Sequence, residues 1–479
     1  MSQNNAPVVR TPAGAVRGVC DHGSERYRAI PYAATPTGAA RFGPPAPHPG
    51  WRGVRDATGP GATAPQPIRD FGALDMRPYF GPGWVRGTDY LTLDVHTPAA
   101  DDAARPVMVF VHGGGFVTGS SQASLYDGHA FARDGVVLVI LNYRLGVAGF
   151  LDVGGAPRNR GLLDVLAALK WVQDAISAFG GDPANVTVFG QSAGATLVGA
   201  LLATPEATGL FQQAIMQSGS GTGAFTPEQA ERVTRAVATE LSVRATADGL
   251  GNISDEQFVA VLPKLAGLDL QTASDVDPLV GLSPFSLVLD DQPADALAKG
   301  PAADVALLIG TNTEEGNLYL VPQGRFETSM HADVLAVAAR SHADPRTAMD
   351  AVAARLPHAT RGQLRSALLG EALFGAGSAR MARAHASISP RGTYVYRFGF
   401  RSNAVDGKLG AAHTVELPFV FDIAGSPWLH GEAGLLGPDP VPHGLAGEMH
   451  RSWVAFARNG SPGWDAYRGA AGVIEHFGD

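Results

Sequence analysis

Val186-Thr187-Val188-Phe189-Gly190-Gln191-Ser192-Ala193-Gly194-Ala195 is the stretch from which the rest of this chain is best read. A β-branched and aromatic run stops at a Gly-x-Ser-x-Gly core, and Leu197, Val198, Leu201 and Leu202 follow at helical spacing. The order is strand, sharp turn, helix, with Ser192 at the apex. Small residues at 190, 193, 194 and 195 let the backbone turn tightly and leave the serine oxygen uncovered. In a chain with 60 glycines the glycine spacing alone says little. The strand–helix setting is what makes Ser192 a candidate nucleophile.

Outward from this turn, apolar strands alternate with helical segments. Val107 to Val111, Val136 to Leu141, Ala214 to Met216 and Val305 to Ile309 read as strands buried on both faces, and Thr393 to Phe398 reads as a further strand. Leu162 to Phe179 has helical spacing, with Leu166, Leu169, Val172 and Ile176 on one face. This pattern predicts an α/β fold: a large, mostly parallel sheet covered by helices on both sides. Residues 1–60 read as short strands and turns, and Tyr90 to Val95 as a strand. Residues 225–300 are more polar and helix-like, 326–390 are Ala- and Arg-rich and helical, and an amphipathic helix lies around Trp453 to Arg458. No repeat or long linker divides the chain, so residues 1–479 are read as one domain. Insertions near 61–88, 225–290 and 320–390 are expected to cap a pocket.

Composition narrows the function classes. Hydrophobic residues make up 45% and charged residues 17%, as in soluble globular proteins. A net charge of -9 argues against a nucleic-acid partner. Cys20 is the only cysteine, which excludes an internal disulfide and disfavours thiolate-bound metal. Residues 1–7 show neither a basic region nor an apolar core, and no apolar run approaches a membrane span, so a cytoplasmic protein without a membrane partner is expected.

A second motif, Val111-His112-Gly113-Gly114-Gly115-Phe116, follows directly on a buried strand. Its glycines leave backbone N–H groups free to meet a developing negative oxygen. The competing reading, a phosphate-binding loop, fails because Gly119 is followed by Ser120 and Ser121, with no lysine. A serine nucleophile further requires a base and an acid to orient it. There are 14 histidines and 45 acidic residues to choose from, but order along the chain restricts them. Glu314 and Glu315 are the first acids after the 305–309 strand, and His413 is the first histidine after the 393–398 strand. Position leaves both glutamates open.

The residues at this point resemble the type-B carboxylesterases, the α/β-hydrolase family that includes acetylcholinesterase and bacterial para-nitrobenzyl esterases. The resemblance runs through Ala29 to Ala33, the 89–98 segment, His112 to Phe116, Asn142 to Gly146, Asn159 to Asp164 and Phe179 to Pro183. It continues through Gly190 to Gly194, Gln217 to Gly219, Glu315-Gly316 and His413 to Phe421. It implies an α/β-hydrolase fold and hydrolysis of a small-molecule ester, with neither metal nor organic cofactor. It implies Ser192 as nucleophile, His413 as base, Glu315 rather than Glu314 as acid, and the amides of Gly114, Gly115 and Ala193 as oxyanion donors. Phe116, Gln191, Ser218, Phe71 and Trp84 are the expected pocket residues.

The chain departs from the family at three places. Gln191 stands where glutamate is usual, Thr88-Asp89-Tyr90 lacks the cysteine of the Glu-Asp-Cys block, and Thr414 replaces a smaller residue. A carbamate or aryl-amide hydrolase with the same triad is the second reading, and a non-catalytic binding protein of the same fold the third.

Overall fold

A computed structural model describes residues 6–469 and 472–479. The N-terminal region supplies β1 (Val8–Thr11), β2 (Gly14–Arg17), β3 (Val19–Asp21), β4 (Ser24–Pro31) and β5 (Val54–Asp56). There follow β6 (Thr92–Thr97), β7 (Arg105–Val111), β8 (Val137–Leu141) and β9 (Gly181–Gln191). The last strands are β10 (Gln213–Gln217), β11 (Ala306–Asn312), β12 (Thr393–Phe398) and β13 (Ile474–Phe477). Among the described residues, ten strands make one sheet in the order β13-β12-β11-β10-β9-β7-β8-β6-β4-β3, and β1, β2 and β5 form a small side sheet. From β13 to β8 every pairing is parallel, and the edge from β8 to β3 is antiparallel.

The chain therefore adopts the expected mostly parallel sheet. Residues 137–141 of β8 and 107–111 of β7 are completely buried, as strands must be when helices cover both faces. Each such Val, Leu, Ile or Phe contributes about 1.5–3 kcal/mol relative to exposure. The predicted helix over 162–179 is an α-helix over Arg160–Ala175 that tightens to a 3-10 turn over Ile176–Phe179. The helix around 453–458 is longer, Leu445–Asn459. The 326–390 region is helical, with helices at His331–Ser341, Pro345–Arg355, Arg361–Gly370 and Ala376–Ala386. These pack into a hydrophobic cluster of their own around Val337, Leu368 and Phe374. The 225–300 region is only partly as expected. After helices at Pro227–Leu241 and Asp255–Val261 it runs without regular structure through much of 266–290. Among the described residues no helix is long and apolar enough to cross a membrane.

Two of the quoted sequence blocks meet in a buried ion pair. Arg144 and Asp164 both have 0% side-chain exposure, with Nη2–Oδ1 at 2.7 Å and Nε–Oδ2 at 2.8 Å. Arg144 also donates to the carbonyls of Arg41 and Gly43, while Arg160 donates to those of Ala148, Pro157 and Leu151. These arginines tie the loop after β8 to the N-terminal segment and to the following helix. Asp164→Asn would leave the Arg144 guanidinium buried without its counter-charge. It is expected to lower stability by about 3–5 kcal/mol in urea unfolding; a loss under about 1 kcal/mol would show that the pair does not hold these segments.

Candidate active site

The sharp turn after β9 forms as its residues require. Ser192 has φ 59 and ψ −127, a conformation rarely taken by a residue with a side chain, costing about 1–3 kcal/mol. A Cβ on Gly194 would stand 2.0 Å from the Val111 carbonyl oxygen, and one on Gly190 would stand 2.6 Å from the Gly194 carbonyl carbon. Only glycine fits either place. Ser192 N–H donates to the Gln217 carbonyl at 2.9 Å, which ties the turn to the end of β10. The helix Ala193–Leu202 then starts with its N-terminus, and its partial positive charge, beside the serine.

The other chemical groups come from neighbouring strand ends, on the carboxyl edge where α/β sheets bind ligands. Glu315 follows β11, and His413 lies in the loop after β12. His413 Nδ1 is 2.6 Å from Glu315 Oε2. Glu315 Oε1 accepts from Ser218 Oγ at 2.5 Å and from the Asn312 N–H at 2.8 Å. Glu314 points elsewhere, accepting from the Ala411 N–H and pairing with Arg401. The His413 ring stacks on Phe374 with centroids 4.2 Å apart and planes 7° apart. Behind it, Glu416 Oε2 accepts from Asn312 Nδ2 at 2.8 Å, and burial together with the nearby Glu315 carboxylate raises its pKa to about 7. The sequence signal for Glu416 was its place three residues after His413, in a block already singled out.

The glycine loop after β7 faces the same place. Gly114 has φ 107 and Gly115 φ 64, and a Cβ on Gly114 would lie 2.0 Å from the Thr118 carbonyl oxygen. Among the described residues the N–H groups of Gly114 and Gly115 donate to no protein acceptor. His112 braces the loop, with its ring stacked on Tyr143, whose hydroxyl donates to the His112 carbonyl at 2.8 Å. Burial lowers the His112 pKa to about 4, so it stays neutral there.

Ser192, Ala193, Gly114, Gly115 and His413 all border one cavity. Its remaining wall is mainly apolar, with Phe71, Phe80, Phe116, Leu282, Leu318 and Phe374. Those residues are drawn in part from each of the segments near 61–88, 225–290 and 320–390. Among the described residues no group of three His, Cys, Asp or Glu side chains is placed to hold a metal ion.

Three expected pocket residues stand elsewhere, while Phe71 and Phe116 are on the wall. Ser218 is fully buried behind Glu315, because the register of β10 beside β11 turns it toward that carboxylate. Trp84 is off the cavity, with the Arg86 guanidinium 3.7 Å above its ring. Gln191 lies behind the cavity wall as a fully buried hydrogen-bonding residue. Its Oε1 accepts from Tyr79 Oη at 2.7 Å, which turns its Nε2 toward His413 Nε2 at 3.3 Å. Tyr79 was not anticipated.

With Nδ1–H held by Glu315, the neutral imidazole offers an Nε2 lone pair, and the Gln191 amide donates to it. A protonated imidazole would instead set N–H against N–H. A carboxylate at position 191, held by the same tyrosine, would favour the protonated ring. Gln191→Glu is therefore expected to move the acidic limb of the kcat/KM profile upward by about one pH unit. The sign follows because a nearby carboxylate favours the protonated imidazole, which then loses its proton only at higher pH; an unmoved limb would refute this.

The chain is similar to known proteins along nearly its whole length. A model of the carboxylesterase family matches residues 5–469. The chain is 35% identical to para-nitrobenzyl esterase of Bacillus subtilis over 471 residues, covering 96% of this chain and 92% of that protein. It is 33% identical to phenmedipham hydrolase of Pseudarthrobacter oxydans, covering 96% and 91% of the two chains. The structure superposes on carboxylesterase EST55 of Geobacillus stearothermophilus with a TM-score of 0.84 at 34% identity, covering 98% and 96%. With a Gly-x-Ser-x-Gly turn at the carboxyl edge of a mostly parallel sheet and likeness along nearly its whole length, this chain belongs to the carboxylesterase family of α/β-hydrolases.

Proposed function

We propose that this carboxylic ester hydrolase works by acyl transfer through Ser192, with His413 as base and then acid, and Glu315 orienting the imidazole. The observation that carries the reading is the 2.6 Å contact of Glu315 with His413 Nδ1 beside a strained serine on the same cavity wall. His413 Nε2 takes the hydroxyl proton as Ser192 Oγ bonds to the ester carbonyl carbon. For this the serine hydroxyl displaces the Gln191 amide as partner of Nε2, a tightening common on substrate binding. The carbonyl oxygen becomes an oxyanion met by the amides of Gly114, Gly115 and Ala193, each such donor being worth about 10²–10³ in rate. The imidazolium returns its proton to the departing alkoxide, which leaves as alcohol. Water then attacks the acyl-enzyme by the same route, releasing the acid and restoring Ser192. In this reading residues 1–479 act as one unit, with the segments near 61–88, 225–290 and 320–390 shaping the pocket for an apolar part of the ester.

Matched p-nitrophenyl ester, p-nitrophenyl carbamate and p-nitroanilide substrates test the reading. The ester is expected to turn over fastest, with a burst of nitrophenol stoichiometric with protein under rapid mixing. Faster carbamate or anilide turnover would favour the second chemistry. Silence across acetate to octanoate esters would point to a binding protein.

A further inference from the structure

Arg69 is a charged residue on the cavity wall for which acyl transfer has no use. It comes from the loop over 61–88 and is only partly exposed. Its guanidinium lies 5.3 Å from the Phe71 ring centroid and 5.9 Å from that of Phe80. Its Nη1 is 3.5 Å from the point that a Cβ on Gly115 would occupy. Aromatic faces thus hold a planar cation beside the glycine loop, on the wall of the cavity that Ser192 also borders.

Among the described residues no carboxylate forms an ion pair with Arg69. Burial pulls its pKa down. The two fully buried arginines are both satisfied, Arg144 by Asp164 and Arg160 by the carbonyls of Ala148, Pro157 and Leu151, whereas Arg69 donates to no protein acceptor among the described residues. A guanidinium stays protonated and offers five donors, so a desolvated one without a counter-charge is costly unless something anionic comes to it. The chain carries a net charge of -9, so its overall field would repel an anion and the local attraction must come from Arg69.

We propose that Arg69 binds a carboxylate of the substrate, so that the preferred substrates are esters bearing a carboxylate a few bonds from the scissile carbonyl. The fork of N–H groups would take that carboxylate through paired, charge-assisted hydrogen bonds, while Phe71 and Phe80 hold the fork in plane. This rests on the reading of Ser192 as nucleophile. It differs from a general electrostatic role at the oxyanion, which would act on every ester alike.

Three esters separate these roles: benzyl pentanoate, monobenzyl glutarate with the anion on the acyl side, and 4-carboxybenzyl pentanoate with the anion on the alcohol side. One of the two anionic esters is expected to exceed benzyl pentanoate in kcat/KM, and which one does so identifies the side recognised. Arg69→Gln should lower that anionic-to-neutral ratio about 10- to 100-fold, the usual worth of a hydrogen bond to a charged group. Arg69→Lys, which keeps the charge without the fork, should restore part of it, and thermal midpoints report that the variants fold. A ratio unchanged within twofold would overturn the proposal, as would a parallel loss on all three esters. Calorimetry on Ser192→Ala gives a readout free of turnover. The preferred anionic ester should bind at least tenfold more weakly once Arg69→Gln is added, and equal affinity would overturn the proposal. Arg69-dependent binding in a protein that hydrolyses no ester would instead leave the anion site standing and refute the acyl-transfer reading.

Discussion

Ser192→Ala is expected to lower kcat on a p-nitrophenyl ester by about 10⁶-fold, the scale on which serine hydrolases respond to loss of their nucleophile. On the proposed mechanism no acyl-enzyme would form without Oγ, and the remaining rate is expected to come from the oxyanion amides and the cavity. The substitution is structurally mild. The Ser192 backbone is held by its N–H to the Gln217 carbonyl at 2.9 Å and by its carbonyl accepting from the Thr196 N–H at 3.0 Å. Neither bond involves the hydroxyl, and alanine meets the same backbone strain as serine. The thermal midpoint should therefore stay close to that of the parent. Labelling by a fluorophosphonate probe should vanish together with turnover. Labelling that persists on another serine would overturn the assignment.

Glu315→Gln is expected to cost about 10⁴-fold in kcat with little change in fold, by an argument specific to this site. Two donors, Ser218 Oγ and the fixed Asn312 N–H, point at Oε1. An amide at 315 therefore keeps its oxygen toward them and turns its NH₂ toward His413 Nδ1. The imidazole must then accept at Nδ1 and carry its proton on Nε2, the wrong tautomer to take a proton from Ser192. Glu314→Gln removes the charge pairing with Arg401 while its amide oxygen can still accept from the Ala411 N–H, and should leave kcat within a fewfold of the parent. A large loss at 314 together with little loss at 315 would exchange their roles. Kinetics on one ester, with thermal midpoints as the control for folding, distinguishes these outcomes.

Much of the fold was legible because its signals are local. Strands buried on both faces read as continuous apolar runs, as in Val107 to Val111, and the helices between them repeat every three to four residues. The Ser192 turn and the glycine loop at 113–115 were legible for a related reason. Each needs glycine where a Cβ would strike backbone, so the requirement is written at the position itself. The side sheet of β1, β2 and β5 was not foreseen as a separate sheet, since short edge strands carry no signal for their partner. The irregular course of 266–290 was misread as helix-like because polar composition does not separate a solvated helix from a loop packed over a pocket.

By itself the sequence determined the order of strands and helices, the strained serine turn and the glycine loop, all properties of adjacent residues. Only the tertiary structure decided what distant side chains do. It turned Glu315, the glutamate the family resemblance had already pointed to, toward His413, and placed Ser218 behind that carboxylate instead of in the cavity. It set Gln191 between Tyr79 and His413, partners 112 and 222 positions away along the chain. It also placed Arg69 on the cavity wall with aromatic neighbours and, among the described residues, no ion-pair partner. Hydrogen-bond direction and desolvation depend on which segments pack together, and local periodicity carries no record of that.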